Sequence, residues 1–406
     1  MITRVDPGSV GLSVDRLHRI GTHLSAYVED GRLPGWQVLV ARSGGVAYFE
    51  QQGLRDVEAG RPVEDDTVFR IYSMTKPIVS VALMTLHEQG RFQLDDPIGR
   101  FIPELGELEV FSEGDADDFT TVPADRAITI RDLLTHTSGL TYGFLREHPV
   151  DALYRRARIG EMHAPLTLAD MVTALGRVPL QFQPGTRWRY SIATDVLGHL
   201  IERISGERLD AFLTREIFEP LGMHDTGFQV PDDVGDRFAA CYQAAKGGFV
   251  LQDAADTSPY RHAPEFLSGG GGLVSTAADY LAFCQMLLGN GAHGSVRILG
   301  RKTFELMALN HLPTGGDLTS MGQPVFSETR YDGIGFGLGF SVLLDPARAQ
   351  IAGSPGELAW GGMASTAFWI DRHEDLAVIF MTQLLPSSSY PIRRELRTLV
   401  HQAIVD

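Results

Sequence analysis

Phe69-Arg70-Ile71-Tyr72-Ser73-Met74-Thr75-Lys76-Pro77-Ile78-Val79 is the stretch around which the rest of the chain is organised. From Ile78 onward the apolar residues Ile78, Val79, Ala82, Leu83 and Leu86 recur at helical spacing, and Gly90 follows where a helix would stop. The pattern predicts a helix that starts at Ser73, with Ser73 as N-cap and Pro77 in the first turn, where a missing N–H does little harm. Ser73 and Lys76 then share one face of that turn. A serine hydroxyl becomes a good nucleophile when a nearby base takes its proton, and an ammonium serves only where burial or a helix dipole lowers its pKa. Serine is also a common cap and lysine a common surface cation. Composition weighs against that plain reading, because of 35 basic residues only Lys76, Lys246 and Lys302 are lysines. Arginine holds its proton too tightly to act as a base.

A length of 406 residues allows a large core, and 44% apolar with 21% charged residues is ordinary for a globular protein. The formal charge of −16 argues against nucleic acid or an anionic membrane as partner, since both reward a basic face. No stretch is apolar for the roughly 18 residues that a membrane span needs. The amino terminus lacks the apolar run of a signal peptide, so the expected location is cytoplasmic. Cys241 and Cys284 are too few and too far apart for a disulfide framework or a cysteine zinc site, and are expected to be buried free thiols.

Outward from the Ser73 helix, Ser13 is placed to cap a helix with Leu17, Ile20, Leu24 and Val28 on one face. Trp36 to Arg42 and Val46 to Glu50 read as a hairpin joined by Ser43-Gly44-Gly45. Glu104 to Asp118 holds seven acidic residues and no basic one, and reads as a solvated loop. Thr129 to about Leu221 is helical in pattern, with a capped start at Thr129 and an apolar stripe of Val196, Leu197, Leu200, Ile201 and Ile204. A further helix carries Tyr280, Phe283 and Leu287 after Gly269-Gly-Gly-Gly272. Strands are expected at Phe336 to Leu344, Leu358 to Ile370 and Leu376 to Thr382, and a last helix from Pro391 to Ile404. Strands at both ends with helices between them point to an α+β fold, with one antiparallel sheet built from both termini and a helical insertion. The domains expected are residues 1–72 with 268–406, and 73–267 between them, with the site at their interface.

A Ser-Lys pair still needs an acid for the leaving group and donors for the oxyanion. Tyr190, after the Pro184-Gly185 turn and before a helix, is held where a phenol could shuttle a proton, although an aromatic staple would look the same. Gly361 and Gly362 after Trp360 weaken a strand and suggest that something approaches the backbone closely, such as a substrate carbonyl. Rival sites are weaker. Proline follows Ser354 in Gly353-Ser354-Pro355, which opposes a nucleophile elbow, and the histidines show no zinc-hydrolase spacing. His136 reads as a structural hydrogen-bonder, and the Gly269 to Gly272 run as a tight turn rather than a phosphate loop.

Ser73-Met-Thr-Lys76, Tyr190-Ser-Ile192 and Trp360-Gly-Gly362 resemble, in order and approximate spacing, the three motifs of class C β-lactamases and penicillin-binding-protein-like hydrolases. Leu133 to Leu140, Leu221 to Gly227 and Gly269 to Thr276 extend the resemblance over nearly the whole chain. Trp360-Gly-Gly362 stands where those enzymes usually carry a Lys-Thr-Gly or His-Thr-Gly triplet, and Ile192 where they usually carry asparagine. Tryptophan cannot supply the charge that holds a substrate carboxylate. The chain therefore looks like family VIII carboxylesterases and the related statin side-chain acyltransferases, whose fold is of the β-lactamase/transpeptidase type. That resemblance implies an acyl-enzyme on Ser73, with Lys76 and Tyr190 moving the proton. It also implies an oxyanion hole from the N–H groups of Ser73 and Met363, and a substrate site at Trp360, Gly361, Gly362 and Tyr142. It implies a small ester as substrate, water or an alcohol as acceptor, and no metal or other cofactor. Weak β-lactam hydrolysis, D,D-peptidase-like activity or a relative that binds without turnover are the alternatives.

Overall fold

Trp36 and Val46 each lie in a strand because their neighbours alternate between two apolar faces, and the two strands pair as expected. β1 (Gly35–Arg42) and β2 (Gly45–Asp56) are joined by Ser43-Gly44, whose φ angles of 52° and 78° make the left-handed two-residue turn that matches strand twist. The structure, a computed structural model, describes residues 2–322 and 331–406. Around this hairpin the chain adds β3 (Arg61–Pro62), β4 (Ile334–Phe336), β5 (Ser341–Leu343), β6 (Leu358–Gly361), β7 (Ala367–Asp371) and β8 (Leu376–Met381). They form one antiparallel sheet in the order β4-β5-β6-β7-β8-β1-β2-β3, so β1 from one end of the chain pairs with β8 from the other.

Among the helices of the described residues, those that cover the sheet or position the site are α1 (Val14–Glu29), α2 (Thr75–Glu88), α3 (Ile130–Leu134), α4 (Ala193–Ser205), α5 (Ala277–Leu288) and α6 (Ile392–His401). Val38, Val40, Trp369, Val378 and Phe380 bury one face of the sheet against α1 and α6. Leu39, Phe368, Ile370 and Ile379 bury the other in the core that holds α2, α4 and α5. Both faces are covered, so the central strands are continuous apolar runs. From Thr75 to Leu86 every residue of α2 is buried, the mark of a helix enclosed on all sides. Thr129 and Asp132 cap α3 reciprocally, and Gly206, at φ 78°, closes α4. The architecture is the expected α+β one, an antiparallel sheet flanked by helices with a helical insertion between its strands. No helix among the described residues is long and apolar enough to cross a membrane.

Three readings need correction. Phe336 to Leu344 is not one strand but the turn and second arm of a hairpin, β4 with β5, reversed at Gly337 to Phe340, where Gly339 has φ 103°. Leu358 to Ile370 likewise folds back between Gly361 and Ala367. In both runs the turn residues are apolar or small, so hydropathy shows no break. The acidic stretch is partly a hairpin, Glu109–Gly114 paired with Phe119–Pro123. Val110 stands opposite Val122 across that hairpin, and the charges stay in solvent.

Candidate active site

Ser73 is not the helix N-cap expected, but lies one residue before it, Met74 being the cap. The α-helix begins at Thr75, and Ser73 occupies the 3₁₀ turn Tyr72–Met74 that runs into it. A 3₁₀ turn places residues i and i+3 almost in line, so Lys76 still stands over the serine, its Nζ 3.3 Å from Oγ. Tyr72, immediately before, has φ 42°, a left-handed conformation that costs a bulky residue about 1–3 kcal/mol and sets the direction of the turn.

Lys76 is 1% exposed. Its ammonium donates to the Gly270 carbonyl at 2.6 Å and to Ser73 Oγ, and stands 4.6 Å from the Tyr190 ring centroid and 5.4 Å from that of Tyr142. Tyr190 arrives from the far side. Its segment is pinned by Trp188 N–H to the Met321 carbonyl and Arg189 N–H to the His136 carbonyl, and α4 begins at Ala193. The Tyr190 hydroxyl is 2.5 Å from Ser73 Oγ, and either oxygen can donate. The Ser73-Lys76 pair and the distant Tyr190 thus meet at one oxygen.

Beneath Tyr190 lies His136, its Nδ1 3.1 Å from Ser191 Oγ. Burial and the neighbouring Lys76 charge push this imidazole well below its ordinary range, which leaves it neutral and makes it a support for the aromatic wall.

The Trp360 motif closes the site, for a different reason from the one the sequence suggested. A Cβ at Gly362 would come within 2.4 Å of the Ile71 carbonyl, and one at Gly361 within 2.7 Å of the Arg393 guanidinium. The close approach is therefore by the chain itself, which brings the end of β6 against the Ser73 turn. The Gly362 N–H is spent on the Thr366 carbonyl, whereas no backbone hydrogen bond in the loops claims the N–H of Ser73 or Met363 among the described residues. Trp360 sits 5.7 Å from Tyr190 and 5.2 Å from Phe336, ring to ring. Tyr142 is 5.4 Å from Tyr190 and stacks on the half-exposed Phe144 at 4.6 Å.

Ser73, Tyr190, Tyr142, Trp360, Gly361, Gly362 and Met363 all line one cavity of about 470 Å³. That volume suits a small molecule. Sequence reasoning missed Asp195, Gly270, Met162 and Phe144 in the same wall. An acidic residue inside the apolar pattern of α4 was a readable signal for Asp195, and the four-glycine run was one for Gly270. The described residues close enough together to hold a cation, Glu357, Asp371 and His401, are outside this lining, and Arg397 already bonds one Glu357 oxygen.

Comparison with known proteins agrees with this geometry. The sequence profile of the family described as Beta-lactamase matches residues 20–402. Esterase EstB of Burkholderia gladioli is 33% identical over 418 aligned residues, covering 98% of each chain. Among solved structures, EstCE1, described as a hydrolase with promiscuous acyltransferase activity, superposes with a TM-score of 0.80 at 29% identity, over 95% of this chain and 99% of its own. Simvastatin synthase (LovD) from Aspergillus terreus, unliganded, gives 0.80 at 25% identity, over 96% and 98%.

Proposed function

The chain belongs to the β-lactamase family, in its branch of esterases and acyltransferases that act on esters, and from that premise we propose that Ser73 is the nucleophile of an acyl-enzyme mechanism. Ser73 Oγ bonds to the ester carbonyl carbon while its proton passes to the Tyr190 oxygen and the Tyr190 hydroxyl proton passes on to the Lys76 amine, so that the phenol stays neutral and Lys76 ends as the ammonium. The carbonyl oxygen, now an anion, takes the N–H groups of Ser73 and Met363, where donors aimed at developing charge act most strongly. Collapse breaks the bond to the alkoxide, which leaves with the proton from Tyr190 as the Lys76 ammonium returns one to the phenol. Water, or an alcohol where one is bound, then attacks the acyl carbonyl and returns a proton to Ser73 by the same route. The convergence of Lys76 Nζ and Tyr190 Oη on Ser73 Oγ, at 3.3 and 2.5 Å, is the observation that carries this reading.

Trp360 supports a preference for uncharged acyl groups, because an indole wall stands where a carboxylate-binding residue would be needed for β-lactam or peptide substrates. Acyl transfer is supported by the aromatic wall of Tyr142 and Trp360, which retains an alcohol better than water. A cytoplasmic location fits Cys241 and Cys284, both buried and unpaired; recovery of the activity from a periplasmic or extracellular fraction would reject it.

Brief exposure to a p-nitrophenyl ester, followed by intact mass and peptide mapping, tests the nucleophile. The native protein is expected to release p-nitrophenol and to carry one acyl group on Ser73, and Ser73→Ala to do neither. Release by Ser73→Ala would place the nucleophile elsewhere. In the same assay a carboxylate-bearing ester is expected to be the poorer substrate, and equal efficiency would remove the role given to Trp360.

A further inference from the structure

One fully buried carboxylate lines the cavity and has no part in the proposed reaction. Asp195 lies in the first turn of α4, five residues after Tyr190, at the end of the helix where a negative charge is favoured. One of its oxygens accepts from Ser268 Oγ at 2.6 Å and from the Gly270 N–H at 3.1 Å. The Gly270 carbonyl, on the other side of the same residue, accepts from Lys76 Nζ at 2.6 Å. A side chain at position 270 has no room, because a Cβ there would lie 2.4 Å from Asp195 Oδ2 and 2.9 Å from the Tyr142 hydroxyl. Glycine is thus required between the carboxylate and the amine, and both of its backbone polar groups are used.

We propose that Asp195 is the positioning residue for Lys76: it fixes Ser268 to Gly270 so that one carbonyl holds the amine over Ser73, and it supplies the opposite charge across that glycine. A buried ammonium with no anion near it is costly, whereas one in direct contact with a carboxylate is held charged. A glycine between them keeps the charges close without binding the proton to the pair. Burial raises the Asp195 carboxyl, while the Lys76 charge and the Ser268 and Gly270 donors pull it back. The other ionisable groups around the amine are Tyr142, Tyr190 and His136.

The inference rests on the ester-cleaving reading, and the experiment separates the two. Kcat/KM of native protein, Asp195→Asn, Asp195→Ala and Gly270→Ala is measured against pH with a neutral p-nitrophenyl ester, beside thermal unfolding of each. Asparagine can still accept from Ser268 and Gly270, so Asp195→Asn removes charge and keeps position. It is expected to lose on the order of tenfold in kcat with KM little changed, in the range found for residues that orient a reacting group. The ascending limb of its pH profile is expected to move, because a negative charge beside the reacting groups is lost. Asp195→Ala and Gly270→Ala are expected to lose more, on the order of a hundredfold. A native rate and an unmoved limb in Asp195→Asn would overturn the inference while leaving ester cleavage intact. Absence of turnover in the native protein would overturn the reading beneath it.

Discussion

Lys76 with Asp195 and Arg397 with Glu357 are both buried opposite charges, and they are built in opposite ways. On the α6 side of the sheet Arg397 donates directly to Glu357, stacks on Trp369 with its guanidinium 4.7 Å from the ring, and has His401 Nε2 3.8 Å from the second Glu357 oxygen. Asp371, close by, is occupied by the N–H groups of Ser354, His373 and Glu374. On the α2 side no hydrogen bond or ion pair joins Lys76 to Asp195 among the described residues; Gly270 stands between them. Direct contact makes a clamp, since neither partner can lose its charge without stranding the other. Separation by one neutral residue suits the proposed relay, in which the amine exchanges a proton with Ser73 through Tyr190 while its counter-charge stays in place.

The clamp side carries the largest expected effect. Burial pushes the Glu357 carboxyl up even against Arg397, so the cluster is expensive to assemble. Removing one member is still worse, because it leaves the other charge unpaired. Glu357→Ala is expected to lose about 3–5 kcal/mol in urea unfolding, with ester turnover unchanged while the protein is folded. A loss below about 1 kcal/mol, the size of an exposed pair, would break the comparison.

Tyr190→Phe probes the reactive side. It keeps the ring against Trp360, Tyr142 and His136 and removes only the oxygen at Ser73. Kcat/KM is expected to fall about a hundredfold, equivalent to about 2.7 kcal/mol, with little change in unfolding. A fall of less than tenfold would leave Lys76 as the sole base.

The difference between the two sides was only half legible beforehand. Ser73, Lys76 and Tyr190, the residues of the proposed mechanism, could be singled out because Lys76 is one of three lysines and because Ser73 and Tyr190 stand just before the starts of α2 and α4. The helical α2 was readable from Ile78 to Leu86, and the β1–β2 hairpin from Ser43-Gly44. The hairpins at Gly337 to Phe340 and Gly362 to Thr366 were not, because hydropathy does not distinguish a buried turn of glycine, alanine and phenylalanine from a buried strand. Gly361 and Gly362 announced a close approach, but only coordinates identify Ile71 and Arg393 as what approaches. Asp195 and Gly270 are 75 residues apart, and their hydrogen bond depends on how α4 meets the Ser268 loop, which no local pattern encodes.

Asp279 shows what a buried carboxylate does with no lysine or arginine bonded to it among the described residues, and it sharpens the comparison from outside both clusters. It lies in the first turn of α5 and accepts from the Asp225 N–H at 2.8 Å and Thr226 Oγ1 at 2.9 Å. Burial pushes its carboxyl up to about 6; those two donors lower it, the Asp225 charge raises it further and His224 opposes that. An unfolded aspartate titrates near 4, so the fold prefers the protonated form. Stability from this group is therefore complete below pH 4, still largely present at pH 4, and lost as pH rises through 6, by about 2 kcal/mol once its partial exposure is allowed for. Asparagine cannot ionise, so Asp279→Asn is expected to gain on the native protein by that amount between pH 4 and 7.5 in urea unfolding. If the gap between the two proteins is the same at both pH values, two hydrogen-bond donors suffice to hold a buried carboxylate charged. The glycine-separated charge at Lys76 would then need no Asp195 to balance it.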